Sequence, residues 1–192
     1  MKKIVTYIAI TFGLTWLVLG CLALAGIPLN GSLLAQGIVA VTMWFPAVGV
    51  LLTRIIYKKK ITFKASFKPM FRGNVKTYLF AWLSPACFTL LGAVLYYLLF
   101  PRQFDAGLTS FAQSVPGGTE VDPTIAILGI ASSIFGAPLL NCLFGLGEEI
   151  GWRGFLYPSM REQMSERKAV LLSGVIWGLW HAPITAMGHN YG

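Results

Sequence analysis

The sequence predicts an all-α fold, a polytopic transmembrane helical bundle with about five spans, and three observations carry that expectation. Of 192 residues, 56% are hydrophobic and 11% are charged, against ~25% charged in a typical soluble domain. Apolar runs recur at lengths near the ~20 residues a helix needs to cross ~30 Å of hydrocarbon. Basic residues gather at alternate ends of those runs, as the positive-inside rule requires.

The elements follow in order as one membrane domain over residues 1–192. Ile4 to Ile27 carries no charge and makes the first span, 4–27. Lys2 and Lys3 precede it as in a secretory signal, but the run is longer than the ~7–15 residues of a signal's apolar region, so a retained span is the better reading. The second span, 33–56, holds only Arg54, and the third, 78–100, holds no charge. The fourth, 125–160, is broken at Pro138, which cannot donate a backbone hydrogen bond. The fifth covers 169–187.

Charge orients these spans. Lys2 and Lys3, the loop from Lys58 to Lys76, and Arg161, Arg167 and Lys168 are the basic clusters. They place the N-terminus, the 58–76 loop and the 161–168 turn in the cytoplasm. The 28–32 and 101–123 connections then lie outside, as expected of a multi-pass plasma-membrane protein. The net charge of +8 is therefore topogenic, and the basic residues meet anionic lipid rather than nucleic acid. Lys60, Lys64 and Lys68, interleaved with Phe63, Phe67 and Phe71, suggest an amphipathic segment on the cytoplasmic surface, which reads as a solvated, orienting loop rather than as a site that recruits substrate or lipid. Cys21, Cys87 and Cys142 are isolated within spans and form no CxxC pair.

Against this background Glu148-Glu149-Ile150-Gly151-Trp152-Arg153 stands out. A charged side chain costs roughly 2.5–3.5 kcal/mol at the centre of a membrane helix, and such residues mark functional sites by default. With Asn141 to Met160 helical, Glu149 and Arg153 are i,i+4 neighbours and pair. Glu148 points about a quarter-turn away and is left to face a cavity. Gly147, Gly151 and Gly154 form a small-residue edge that admits another backbone. In the next span Gly174 and Gly178 repeat the device, with His181 on the same face and Trp177 one turn before it. A cytoplasmic turn centred near residue 165 puts Glu149 and His181 at the same depth in an antiparallel hairpin. A carboxylate and an imidazole facing each other in a dry cavity can activate one water. The glutamate acts as general base, and the histidine orients the water, binds a metal or stabilises the oxyanion.

Glu148-Glu149-x-x-x-Arg153 followed by Trp177-x-x-x-His181-Ala182-Pro183 resembles the first two motifs of the CPBP family of intramembrane proteases, which includes CAAX prenyl endopeptidases and bacterial relatives linked to bacteriocin processing or self-immunity. The likeness covers the last third of the chain, with the core motifs inside 141–183. It implies an endopeptidase that cuts a membrane-bound or lipidated, CAAX-like peptide in the bilayer. Glu148 matches the water-activating glutamate, His181 the histidine of the second motif, and Glu149 with Arg153 the supporting positions. It also raises zinc or another divalent metal as a cofactor, with Glu148 and His181 as two ligands where a catalytic zinc usually takes three.

The family's further polar motifs belong downstream, so the resemblance implies a chain incomplete at its C-terminus. His189 and Asn190 read as a loop leaving the fifth span rather than as substitutes. The alternative function is a non-catalytic membrane immunity or scaffold protein on the same fold. A transporter with a Glu/His proton relay would show repeated halves, which this sequence lacks.

Overall fold

The computed structural model describes residues 1–29, 32–59, 70–109 and 122–188. Among them the chain is helical throughout, with no strand, as expected of an all-α membrane bundle. Four helical stretches are long and apolar enough to cross a membrane: Lys2–Leu24, Leu33–Ile56, Val75–Leu99 and Thr124–Arg161. The fifth expected span is a shorter helix, for a reason that concerns the site and is given below.

The chain divides into two compact units. The first comprises Met1–Lys68 and Cys142–Gly192, the second Pro69–Asn141. In the first unit α1 (Lys2–Leu24) packs on α3 (Phe45–Ile56), which follows α2 (Leu33–Thr42). Residues 33–56 are not one straight rod, because Pro46 enters the first turn of α3 and the chain is reset at Met43 and Trp44. Tyr7, Thr11 and Thr15 recur every four residues along α1 and are all buried. The stripe faces protein rather than lipid, and Thr15 uses it to accept a hydrogen bond from the Trp180 indole. Tyr7 packs with Ile4, Val50, Trp152, Leu156, Met160, Ala169 and Trp180 in one core, and Leu19, Leu22, Leu29 and Ala35 make a second.

The second unit is built on α4 (Val75–Leu99), none of whose side chains is buried. Its large apolar groups, Phe80, Phe88 and Leu98 among them, stay exposed, the pattern of a helix that meets lipid. Asp122 caps α5 (Pro123–Ala131) by accepting from the Thr124 amide at 2.7 Å.

The break expected at Pro138 lies just before it. A wide π turn over Ser132–Gly136 separates α5 from α6 (Ala137–Gly151), and the Ala137 amide bonds back five residues to Ser132. A second wide turn, Trp152–Leu156, precedes Pro158 in α7 (Tyr157–Arg161), where the Tyr157 amide bonds back to Trp152. The cause is common to both. A proline ring collides with the carbonyl four residues earlier, and one extra residue in the turn moves that carbonyl aside. The carbonyl Pro138 leaves unused, that of Ile134, accepts instead from the Trp82 indole at 2.8 Å. The turn after α7 is pinned by an Arg161–Glu166 ion pair of 2.9 Å, and α8 (Glu166–Trp180) and α9 (Ala182–Ala186) complete the described chain. His189 and Asn190, and the 60–69 part of the basic loop, lie outside the described residues.

Candidate active site

All four residues singled out by the sequence fall in the first unit, and one side chain links them. Trp177 on α8 donates its indole N–H to Glu148 Oε2 at 3.1 Å. The Arg153 guanidinium lies over the same indole, 5.8 Å from the ring centre, within cation–π range. Arg153 Nη1 in turn reaches Glu149 Oε1 at 3.0 Å, the expected i,i+4 pair, with both side chains about half exposed. Edge-on against Trp177 stands the His181 ring, at 4.7 Å between centroids.

Glu148 is buried, at 9% exposure, so the carboxylate expected to be free is already held on one side. A buried carboxylate requires such a donor. Gly147 and Gly151, on either side of it, let α6 approach α3 closely. A Cβ on Gly147 would lie 2.7 Å from Trp44 Cα, and one on Gly151 would collide with Pro46 and the Tyr7 hydroxyl. Gly154 takes no part in this edge, because a Cβ there meets only Glu149 O of its own helix, at 3.5 Å. The Gly174/Gly178 face expected to admit a helix meets nothing within 4 Å among the described residues.

The level expected to be shared by Glu149 and His181 is displaced by about one helical turn. The partner of Glu148 is Trp177, not His181. The turn between Arg161 and Glu166 is centred at 163–164, so Glu148 stands two residues further from it than Trp177. The wide turn at Trp152–Leu156 spends extra chain for the same rise along the first arm.

His181 ends α8, where a continuous helix over 169–187 was expected. Pro183 forbids the next α-helical hydrogen bond, and the His181 amide bonds to Gly178 O at 3.1 Å, a tighter turn. That frees the Trp177 carbonyl, which lies 2.9 Å from His181 Nδ1. A carbonyl can only accept, so Nδ1 carries the proton, and in the neutral ring Nε2 presents its lone pair. Trp180, beside His181, is fixed from α1. Its indole donates to Thr15 Oγ1 at 2.8 Å, its carbonyl accepts from the Trp16 indole at 3.2 Å, and its ring packs edge-on against Trp152 at 5.5 Å.

Sequence reasoning assigned no role to Trp177 or to α1. The signal for α1 was present, as the Tyr7, Thr11, Thr15 stripe in an uncharged span. For Trp177 the spacing to His181 was legible, but its indole N–H donor could be matched to Glu148 only by folding the hairpin.

The donor set does not by itself fit a zinc centre. Among the described residues no three His, Cys, Asp or Glu side chains come together. Glu148 and His181 offer two donors, each with one atom engaged by Trp177, where catalytic zinc usually has three protein ligands.

Residues 123–190 match the family model described as Type II CAAX prenyl endopeptidase Rce1-like. CAAX prenyl protease 2 of Methanococcus maripaludis is 32% identical over 97 residues, which cover 50% of this chain and 35% of that relative. The aligned segment thus spans about a third of the relative's length. No solved structure matches the chain. The hairpin that brings Glu148, Trp177 and His181 together lies inside the matched segment, so the part of this multi-pass membrane protein that is similar to CAAX prenyl endopeptidases is the part that carries the candidate site.

Proposed function

We propose that this chain is an intramembrane endopeptidase of the CAAX prenyl protease type, hydrolysing a peptide bond of a membrane-bound or lipidated peptide. The observation that carries the reading is the arrangement around Trp177, which holds a buried glutamate by its indole and a histidine of defined tautomer by its carbonyl. Glu148 Oε1, the oxygen that Trp177 does not engage, takes a proton from water as the water oxygen attacks the scissile carbonyl carbon. His181 Nε2 accepts the second water hydrogen and fixes the angle of attack. In the neutral ring that atom has no proton to give, so orienting the water suits His181 better than donating to the oxyanion. Glu148 then returns its proton to the departing nitrogen, and the carbon–nitrogen bond breaks. Arg153, paired with Glu149 and stacked on Trp177, keeps the indole aimed.

The test is cleavage of a prenylated CAAX peptide by the purified protein, followed by mass spectrometry. Glu148→Gln keeps an acceptor for the Trp177 indole but cannot serve as base, and should lower kcat by ~10²–10⁴-fold, the range of general-base catalysis. His181→Ala should also be slow. Product at the wild-type rate from Glu148→Gln would sink the assignment, and a cellular phenotype surviving both substitutions would favour a non-catalytic immunity or scaffold role. Chelation followed by zinc addition examines the metal. Activity lost and then restored would mean that ligands come from beyond the described residues, while full activity in chelator supports glutamate-dependent hydrolysis.

A further inference from the structure

A pocket of about 680 Å³ opens where three membrane helices of the first unit finish together, at the start of α1 and the ends of α3 and α7. Lys2, Lys3, Arg54 and Lys59 line it, with Glu162 as the acidic lining residue. Four basic side chains against one acidic side chain make an attractive site for negative charge. The dipole of α1 adds to it, because the first turn of that helix holds no acidic residue. The walls are tied to one another. Thr6 Oγ1 and the Tyr57 hydroxyl bond at 3.1 Å, and the Met1 amine donates to the Gln163 side chain.

Lys59 is brought to the pocket by an unusual backbone. Lys58 has φ +50°, the left-handed conformation that closes a helix and is normally left to glycine. The Lys58 amide bonds to Ile55 O and the Lys59 amide to Arg54 O at 2.8 Å, completing the cap. A lysine thus stands in the strained position, and the next lysine turns back over the end of α3.

We propose that this pocket binds a phosphate anion, carried by the headgroup of an anionic phospholipid or free in solution. Three features favour the headgroup. The pocket sits at the ends of membrane helices, where headgroups lie. Its volume exceeds that of a bare phosphate, and Ile4 and Phe155 add apolar lining for a glycerol backbone. Gly154 and Pro158 place it ~9–15 Å beyond Glu148 along the helix, so binding here is separable from the hydrolytic reading.

Native mass spectrometry of the purified protein, released from detergent with phosphatidylglycerol or phosphatidylcholine, tests it. The intact chain should retain phosphatidylglycerol about tenfold better. The triple variant Lys2→Gln/Lys3→Gln/Lys59→Gln should lose that preference, whereas Lys76→Gln/Arg102→Gln/Arg167→Gln, equal in charge and outside the pocket lining, should keep it. Gly154→Leu retains every charge and fills the pocket, and should also lose it. Inorganic phosphate is titrated separately. Phosphate that binds alone and displaces the lipid identifies a free-anion site, and lipid retained without phosphate binding identifies a headgroup site. Equal retention of the two lipids, equal loss in both triple variants, or full retention by Gly154→Leu would overturn the proposal.

Discussion

Replacing Trp177 by Phe keeps an aromatic ring against His181 and removes the N–H that Glu148 accepts. A hydrogen bond to a charged group contributes about 1.5–3 kcal/mol, so kcat should fall roughly 10–100-fold with KM little changed. Steady-state kinetics on a lipidated peptide check this, and an unaltered kcat would leave Trp177 as packing alone. Tyr7 is the converse case. Its hydroxyl is fully buried and makes no hydrogen bond of good geometry among the described residues, with the Thr11 hydroxyl as its polar neighbour. Tyr7→Phe should leave thermal stability in detergent unchanged or raise it by up to about 1 kcal/mol. A clear loss would reveal a partner for the hydroxyl, a buried water foremost. Both residues were visible in the sequence as polar groups in apolar helices. Neither environment was, because each depends on which atoms the hairpin and α1 bring into contact.

Glycine spacing in the helices looked alike in two places and means different things. Gly147 and Gly151 lie against the backbone and side chains of Met43, Trp44 and Pro46, while Gly174 and Gly178 face open space among the described residues. Gly147→Ala and Gly151→Ala should each cost about 1–3 kcal/mol or more, since backbone must move to admit the methyl group. Gly174→Ala and Gly178→Ala should be neutral or slightly stabilising, by up to about 1 kcal/mol, through helix propensity alone. Thermal unfolding in detergent separates the pairs, and equal behaviour would show that the α6–α3 approach is looser than described. Where a break was expected at Pro138 the chain makes a wide turn that ends two residues before the proline and stays helical, and it does the same before Pro158. At Pro183 the helix ends instead, and this positions His181.

For the molecule as a whole, the alternation of basic clusters makes a topological prediction. With Cys21, Cys87 and Cys142 replaced by Ala, a cysteine at Gln103 should react with an impermeant maleimide in intact cells. One at Ser165 should react only after the membrane is opened. The reverse pattern would invert the chain and move the phosphate pocket to the outer leaflet. The described residues give the helices that this test needs, four of them long and apolar enough to cross. A fifth apolar run is divided at His181.

Composition and run length determined the all-α membrane class, because hydrocarbon leaves a backbone no partner but its own helix. The cost of charge in lipid likewise singled out Glu148, Glu149, Arg153 and His181 before any coordinates, and the Glu149–Arg153 pair followed from helical spacing alone. Tertiary structure decided what the spacing left open. It set the register of the hairpin, shifted one turn by the widened helix before Pro158, and with it the choice of Trp177 as the partner of Glu148. It also fixed the tautomer of His181, through the Trp177 carbonyl that is left free when the His181 amide turns to Gly178. These are contacts between residues distant in sequence, and periodicity along one helix carries no information about the helix it meets.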